Sequence, residues 1–399
     1  MPFACIALLT GVLSSSPEMA AKRPQIASEI PFWVAFNRSP GLGSVRYQAL
    51  LSRFGSLSEA WRATRSELKE AGLIDSVVRN IVAGRAAIEP EAEMERLEVA
   101  GIRPLTWDDP GYPAILREID DAPPLIHVRG EIREADALSV AVVGTRKPTP
   151  YGKQAAEELA HQLSANGVCI VSGLARGIDG IAHRAALAAG GRTLAVLACG
   201  LDITYPPEHK RLAEEIVERG AVISEQPLGT EPRGDFFPRR NRILSGLSLG
   251  VLLVEGGKKS GGLITANCAL DQGRDVFAVP GSIFSSQSQG TNLKIGKGEA
   301  KLVQRVEDIL EELNLTMIPE QLEMQELVPA TDTEAEVLRY ITKDPVHIDA
   351  VCRESGLPAA AVSSVLAMME LKGLVREIGS KSYVRAREAR EEYAASGGG

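Results

Sequence analysis

The chain has 399 residues, 44% of them hydrophobic and 24% charged, and a formal net charge of −8. This is ordinary globular composition, which excludes a disordered, collagenous or coiled-coil chain. The negative charge excludes a wholly basic nucleic-acid coat but leaves room for a local basic groove. Cysteines stand at positions 5, 169, 199, 268 and 352 with no CxxC pair. Zinc ribbons and thioredoxin-type redox sites are thereby excluded, and the thiols read as the reduced thiols of a cytoplasmic protein. No run is long and apolar enough to span a bilayer, so no membrane partner is expected. The apolar stretch Phe3–Leu13 is like a signal h-region, but no Lys or Arg precedes it. Residues 1–29 are therefore read as a poorly ordered N-terminal segment.

Residues 30–103 are expected to form a small helical domain. Leu50, Leu51 and Phe54 share one helical face, and Leu57, Ala60 and Trp61 repeat the pattern after Gly55. Ahead of them stands Pro40-Gly41-Leu42-Gly43. A Gly-x-Gly hairpin between helices can aim backbone N–H groups at a phosphate, and it can equally be a tight turn in a helical bundle. Residues 104–135 hold Asp109-Pro110-Gly111-Tyr112-Pro113 and Pro123-Pro124, which suits a connector packed on the next domain.

From residue 136 to 313 short apolar runs alternate with amphipathic helices. The runs are Val140–Val143, Val168–Val171, Leu194–Leu197, Ala221–Ile223, Val251–Val254 and Val276–Val279. The helix at 150–165 places Ala156, Leu159, Ala160 and Leu163 on one face. Strands so short and apolar are buried on both faces, and helices between them imply a doubly wound, mostly parallel α/β sheet of Rossmann-like type. A linker at 314–332 follows, within an acid-rich stretch. Residues 333–387 then read as helices Thr333–Thr342, Ile348–Ser355 and Ala359–Leu371, a stop at Gly373, and strands Leu374–Ile378 and Ser382–Arg385 across Gly379. That order predicts a winged helix, and residues 388–399 a disordered tail.

In open parallel sheets, ligands sit at the carboxyl ends of the strands. Here Gly144, Gly173, Gly200, Gly256 and Gly281 follow those ends, which suits an extended site. Basic side chains crowd the same edge: Arg146 and Lys147, Arg176, Arg233 with Arg239, Arg240 and Arg242, and Lys258 and Lys259. Such loops, with helix N-termini, make phosphate sites. Phe236 and Phe237 stand inside the basic run of a chain that is only 5% aromatic, which suits base stacking beside a backbone groove.

Several catalytic readings fail. The first strand lacks GxGxxG, the second ends in Ser172 rather than an acid, and neither Walker A, HExxH nor GxSxG occurs. Asp179 and His183 share a helix face and could hold a metal, but a helix-capping Asp with a partly buried His is the preferred reading, and no metal or cofactor is expected.

The stretches GTRxPTxYG, SGLARGIDGIAHRAAL, FPRRNRILSGLS, EGGKKSGGLITANCALDQGRDVFAVPG and GTNLKIGKGEA resemble the DNA-processing protein A family (DprA, also called Smf). The resemblance implies a homodimeric, non-enzymatic loader that binds single-stranded DNA and delivers it to RecA in natural transformation. It also implies a sterile-alpha-motif-like helical domain before the core and a winged helix after it. The implied DNA pocket falls on Gly144 and Arg146, on Ser172, Gly173, Arg176 and Gly177, on Arg233 and Phe237, on Arg240, Asn241 and Arg242, and on Lys259, Ser260 and Gly261, with Phe236 as an alternative stacking ring. The core also looks like the phosphoribohydrolases of the lysine-decarboxylase-like (LOG) group. There a PGGxGTxxE loop ends in an acid, whereas here Leu263-Ile264-Thr265 follow Glu255-Gly256-Gly257 to Gly262.

Overall fold

A computed structural model describes residues 28–315, 332–342, 346–371, 375–377 and 381–385. The segment before residue 28, most of the linker at 314–332, the positions of Gly373 and Gly379, and the tail lie outside the described residues. The chain divides into two compact units after Leu313.

The first unit opens with six helices: α1 (28–37), α2 (Ser44–Phe54), α3 (Leu57–Arg62), α4 (Arg65–Glu70), α5 (Asp75–Arg85) and α6 (Pro90–Val99). Local sequence sets their ends. Thr64 and Glu67 close a capping box on α4, and Pro90 begins α6, where a missing N–H costs nothing.

A nine-stranded sheet follows: β1 (Arg103–Thr106), β2 (Leu125–Gly130), β3 (Ser139–Val143), β4 (Cys169–Ser172), β5 (Thr193–Leu197), β6 (Ala221–Ser224), β7 (Gly250–Leu253), β8 (Asp275–Ala278) and β9 (Lys301–Leu302). The spatial order is β1-β2-β6-β5-β4-β3-β7-β8-β9. Strands β3 to β9 pair in parallel, while β1 and β2 run antiparallel at one edge. All six apolar runs are strands to within a residue or so at each end.

Residues 104–135 differ from the expectation of a connector, because they carry β2 and most of β1. Pro104 does not prevent this, since β1 is an edge strand and proline is tolerated there. Leu125, Ile126 and Val128 are buried, and the flanking prolines conceal that run in the sequence.

Alternation on the strands divides the core. Ala195, Leu197 and Val222 face a cluster with Trp33, Phe36, Tyr47 and Leu50 of the N-terminal helices. Leu194, Val196 and Ile223 face the other side, with Leu116 of α7 (Ala114–Arg117), Ile243 and Leu244 of α11 (Phe236–Gly246), and Ala266 and Ala269 of α12 (Gly261–Asp271). Between them in sequence come α8 (Pro150–Ala165), α9 (Ile178–Ala188) and α10 (Lys210–Arg219), and α13 (Gln289–Gly296) and α14 (Glu307–Glu312) end the unit. The expected face of α8, Ala156, Leu159, Ala160 and Leu163, is buried.

The second unit is a winged helix. Helices Asp332–Arg339, Ile348–Ser355 and Ala359–Leu371 enclose Val337, Ile348, Val351, Val362, Leu366 and Met369. The strands Val375–Glu377 and Ser382–Arg385 pair antiparallel, and a short strand Val346–His347 adds to the second.

Candidate nucleic-acid interface

From β3 the chain winds to β4, β5 and β6 in one direction and then to β7 and β8 in the other, so the topological switch lies between β3 and β7. Loops leaving two adjacent strands in opposite directions open a crevice there. A groove of about 890 Å³ occupies that position. The β3 loop supplies Gly144, Thr145, Arg146 and Lys147. The β7 loop supplies Gly257, Lys258, Lys259, Ser260 and Gly261, and α11 contributes Phe237, Arg240 and Asn241.

The β3 loop rests on the β4 loop. Gly177, at φ +82°, passes so close that a Cβ there would lie 2.4 Å from the Thr145 carbonyl oxygen, and the Ile178 N–H donates to that oxygen at 3.2 Å. Only glycine meets both demands. On the other side Glu255 accepts from the Thr149 N–H at 2.8 Å and the Thr149 hydroxyl at 2.7 Å, which fixes the residue that caps α8. At α12 the Ser260 side chain makes no cap, so first-turn N–H groups are left for an anion.

Charge and aromatic surface meet at one spot. The Arg146 guanidinium lies 5.2 Å from the Phe237 ring centroid, and the Tyr205 ring lies 5.9 Å from it on a tilt of 57°. Phe236 is occupied elsewhere, beneath Arg233 at 4.9 Å. Arg146, Lys147, Lys258 and Lys259 are exposed and pair with no carboxylate among the described residues.

Beneath them lies a buried charged group. Arg240 donates to the Val196 carbonyl oxygen, and a Cβ on Gly173 would meet Asp179 Oδ2 at 2.5 Å and Arg240 Nη2 at 2.7 Å. Burial pushes the Asp179 carboxyl up to about 6, with Arg240 opposing it, and burial likewise lowers the Arg240 pKa. His183 is buried and pushed down to about 4 by desolvation. Its Nε2 pairs with the Gly173 carbonyl oxygen at 2.7 Å and its Nδ1 with the Thr193 hydroxyl at 2.6 Å. Both ring nitrogens thus serve the fold, and Asp179 accepts from the Ala175 N–H at 3.3 Å. These contacts engage both ring nitrogens of His183 and one carboxylate oxygen of Asp179.

Gly144, Arg146, Phe237, Arg240, Asn241, Lys259, Ser260 and Gly261 come together in the groove. Ser172, Gly173, Arg176, Gly177, Arg233 and Arg242 lie outside its lining. Ser172 is buried and donates to the Val142 carbonyl oxygen at 2.6 Å. Arg176 pairs with Glu208, and Arg233 with Asp235 at 3.2 Å. Arg242 is held by Glu225 at 2.6 Å and Asp121 at 3.2 Å. Lys147, Tyr205 and Lys258 line the groove without having been singled out as site residues. Lysines 147 and 258 were visible in the basic loops, whereas nothing in the local sequence marks Tyr205 as Phe237's neighbour.

The model of DNA recombination-mediator protein A matches residues 103–314, and that of the DprA winged helix domain residues 321–379. The chain belongs to the DNA recombination-mediator protein A family. It is 32% identical to Protein Smf of Synechocystis sp. over 395 residues, covering 90% of this chain and 99% of that protein. It is 41% identical to Protein Smf of Escherichia coli over 289 residues, or 71% and 77% of the two. Among solved structures, DNA processing protein A (DprA) from Streptococcus pneumoniae is similar, with a TM-score of 0.62 and 36% identity over 71% of this chain and 97% of that one. The family model ends at 314, next to the division after Leu313, so the groove falls within the matched region.

Proposed function

We propose that this member of the family binds single-stranded DNA in the groove at the β3–β7 switch, without sequence preference and without chemical turnover. The carrying observation is the joining of Phe237, Tyr205 and Arg146 beside three further exposed cations, Lys147, Lys258 and Lys259, that pair with no carboxylate among the described residues. Rings stack on any base and cations follow the phosphates, which favours an unpaired strand over a duplex whose bases are already stacked. The non-catalytic reading draws support from Glu255, whose carboxylate is bound to Thr149. The wider role that we propose is the one the family resemblance implies: a homodimer that protects incoming DNA and passes it to RecA during transformation. Titration of labelled single- and double-stranded oligonucleotides of one length tests the reading. Tighter binding of the single strand, falling with salt, is expected, and equal or tighter duplex binding overturns it. Incubation with AMP is expected to release no adenine.

A further inference from the structure

Among the described residues three aromatic side chains are exposed, Tyr151, Tyr205 and Phe284, at 50%, 39% and 92%. All three lie on segments leaving carboxyl ends of the sheet, after β3, β5 and β8. Tyr205 belongs to the groove. Phe284 lies beyond it, beside Ile283, itself 77% exposed.

The exposure is built. The Ser285 N–H donates to the Ser282 carbonyl oxygen at 3.0 Å, which closes a turn with Ile283 and Phe284 at its centre. Gly281 and Asn292 exchange two hydrogen bonds, at 3.1 and 2.9 Å, and anchor the turn to α13. The Gly290 N–H donates to the Gly256 carbonyl oxygen at 2.8 Å, joining this segment to the loop of Lys258 and Lys259. Gln287, three residues after Phe284, lines the groove. A structured turn that holds a phenylalanine in water forgoes the burial of an apolar ring, and such surface marks a binding site. No carboxylate occurs between Asp275 and Glu299, while Ser282, Ser285, Ser286, Gln287 and Gln289 supply hydroxyls and amides. That chemistry favours a polyanion with apolar faces.

We infer that Phe284 is a second base-stacking step on the strand held in the groove, reached past Lys258 and Lys259. This rests on the single-strand reading above. A base leaving the groove lays its face on the Phe284 ring, with Ile283 at its edge, while the two lysines neutralise the phosphates between.

The test uses the full chain with oligothymidylates of about 5 and about 16 nucleotides. Phe284→Ala is expected to weaken the longer strand about tenfold and to leave the shorter one unchanged. Phe284→Trp is expected to bind both normally, and its added fluorescence should be quenched by the longer strand alone. Phe284→Ala binding the longer strand as the wild type does, while Arg146→Ala binds it more weakly, overturns this step alone. A loss shared equally by both lengths, or accompanied by a smaller particle in light scattering, also overturns it, the latter in favour of a contact between subunits. A wild-type chain that binds neither strand overturns the groove reading and the step together.

Discussion

Arg146 lies over the ring of Phe237, 5.2 Å from its centroid, although 90 residues separate the two in sequence. The arginine leaves β3 and the phenylalanine begins α11. The sheet order alone makes them neighbours. One position thereby offers a flat ring for a base and a cation for the adjoining phosphate.

Their contributions should separate on salt titration. Phe237→Ala is expected to weaken single-strand binding by about 1–3 kcal/mol with an unchanged salt slope. Arg146→Ala should weaken it and flatten the slope by about one phosphate. Because the guanidinium also steadies the ring, the double variant should lose less than the sum, with a coupling of about 0.5–1 kcal/mol. Additive losses would show that the contact does not organise the site.

Lys258 and Lys259 are exposed and lack carboxylate partners among the described residues. Each should therefore act on DNA alone. Replacing either by Ala is expected to remove about one counterion from the salt dependence of binding while leaving the thermal midpoint in place. A lowered midpoint would mean that they hold the β7 loop together.

Arg242 is the contrasting case. Its side chain is 17% exposed and fastens α11 to Glu225 and Asp121. Arg242→Ala strands Glu225, which is itself largely covered, and should cost about 2–3 kcal/mol of stability, below the loss for a fully buried pair because Asp121 is in solvent. At temperatures where the variant is folded, the salt slope of binding should match the wild type. A slope flattened by a phosphate's worth would return Arg242 to the groove.

The contrast between Arg240, Asn241 and Arg242 shows what the sequence made legible. Short apolar runs separated by helices specify a parallel sheet, and the glycines and cations after those runs mark its carboxyl edge. Within the RNR run, consecutive helical positions point about 100° apart, so one stretch serves both the groove and the scaffold. Which residue does which depends on the acids that pack nearby, Asp121 and Glu225, and these come from the loop between α7 and β2 and from the residue that follows β6. Tyr205 was hidden for the same reason, since its partner Phe237 is distant in sequence. The β1–β2 edge was missed because prolines flank it, and proline is a poor guide where a strand has a free edge.

Acidity should act on two buried groups in opposite senses. Asp179 has its pKa raised to about 6, above the ordinary value near 4. An anion bound above Arg146 and Arg240 favours the protonated carboxyl still further. Single-strand affinity should therefore rise as pH falls from about 7 to about 5, with uptake of up to one proton, and Asp179→Asn should flatten the profile. His183 works the other way on stability. Its folded pKa, about 4, is below the ordinary value of 6.5, so the unfolded chain takes up a proton between these values that the folded chain refuses. The contribution of His183 to stability is then full above about pH 6.5 and is lost as pH falls toward 4, by about 3 kcal/mol. Denaturant titrations of wild type and His183→Gln across that window check the sign. Because Asp179 gains stability over the same range, the difference between the two isolates His183, and a wild type that loses no more stability than His183→Gln as pH falls toward 4 would contradict it.

The winged helix offers a second surface on which DNA could bind, and the charges argue against it as the principal one. Its third helix, Ala359–Leu371, contains no Lys, Arg, Asn or Gln, so it has no side chain of the kinds that read a guanine or adenine edge in the major groove. Val362, Leu366 and Met369 are buried in the unit's own core. Arg376, Lys381 and Arg385 belong to the strands and their connection, with Glu377 among them. The stretch of sequence from Glu307 to Glu336, which runs into that unit's first helix, is acid-rich and repels a phosphate backbone. The groove, by contrast, is assembled wholly from residues 143–287, inside the unit that ends at Leu313. A chain ended near residue 329 is therefore expected to keep single-strand affinity within about tenfold, or 1.4 kcal/mol, of the full chain, with the same salt slope. The measurement is anisotropy titration of one oligonucleotide against both chains, after circular dichroism shows the shorter one folded. A folded truncation that binds more than tenfold more weakly would place a principal share of the contact on the winged helix.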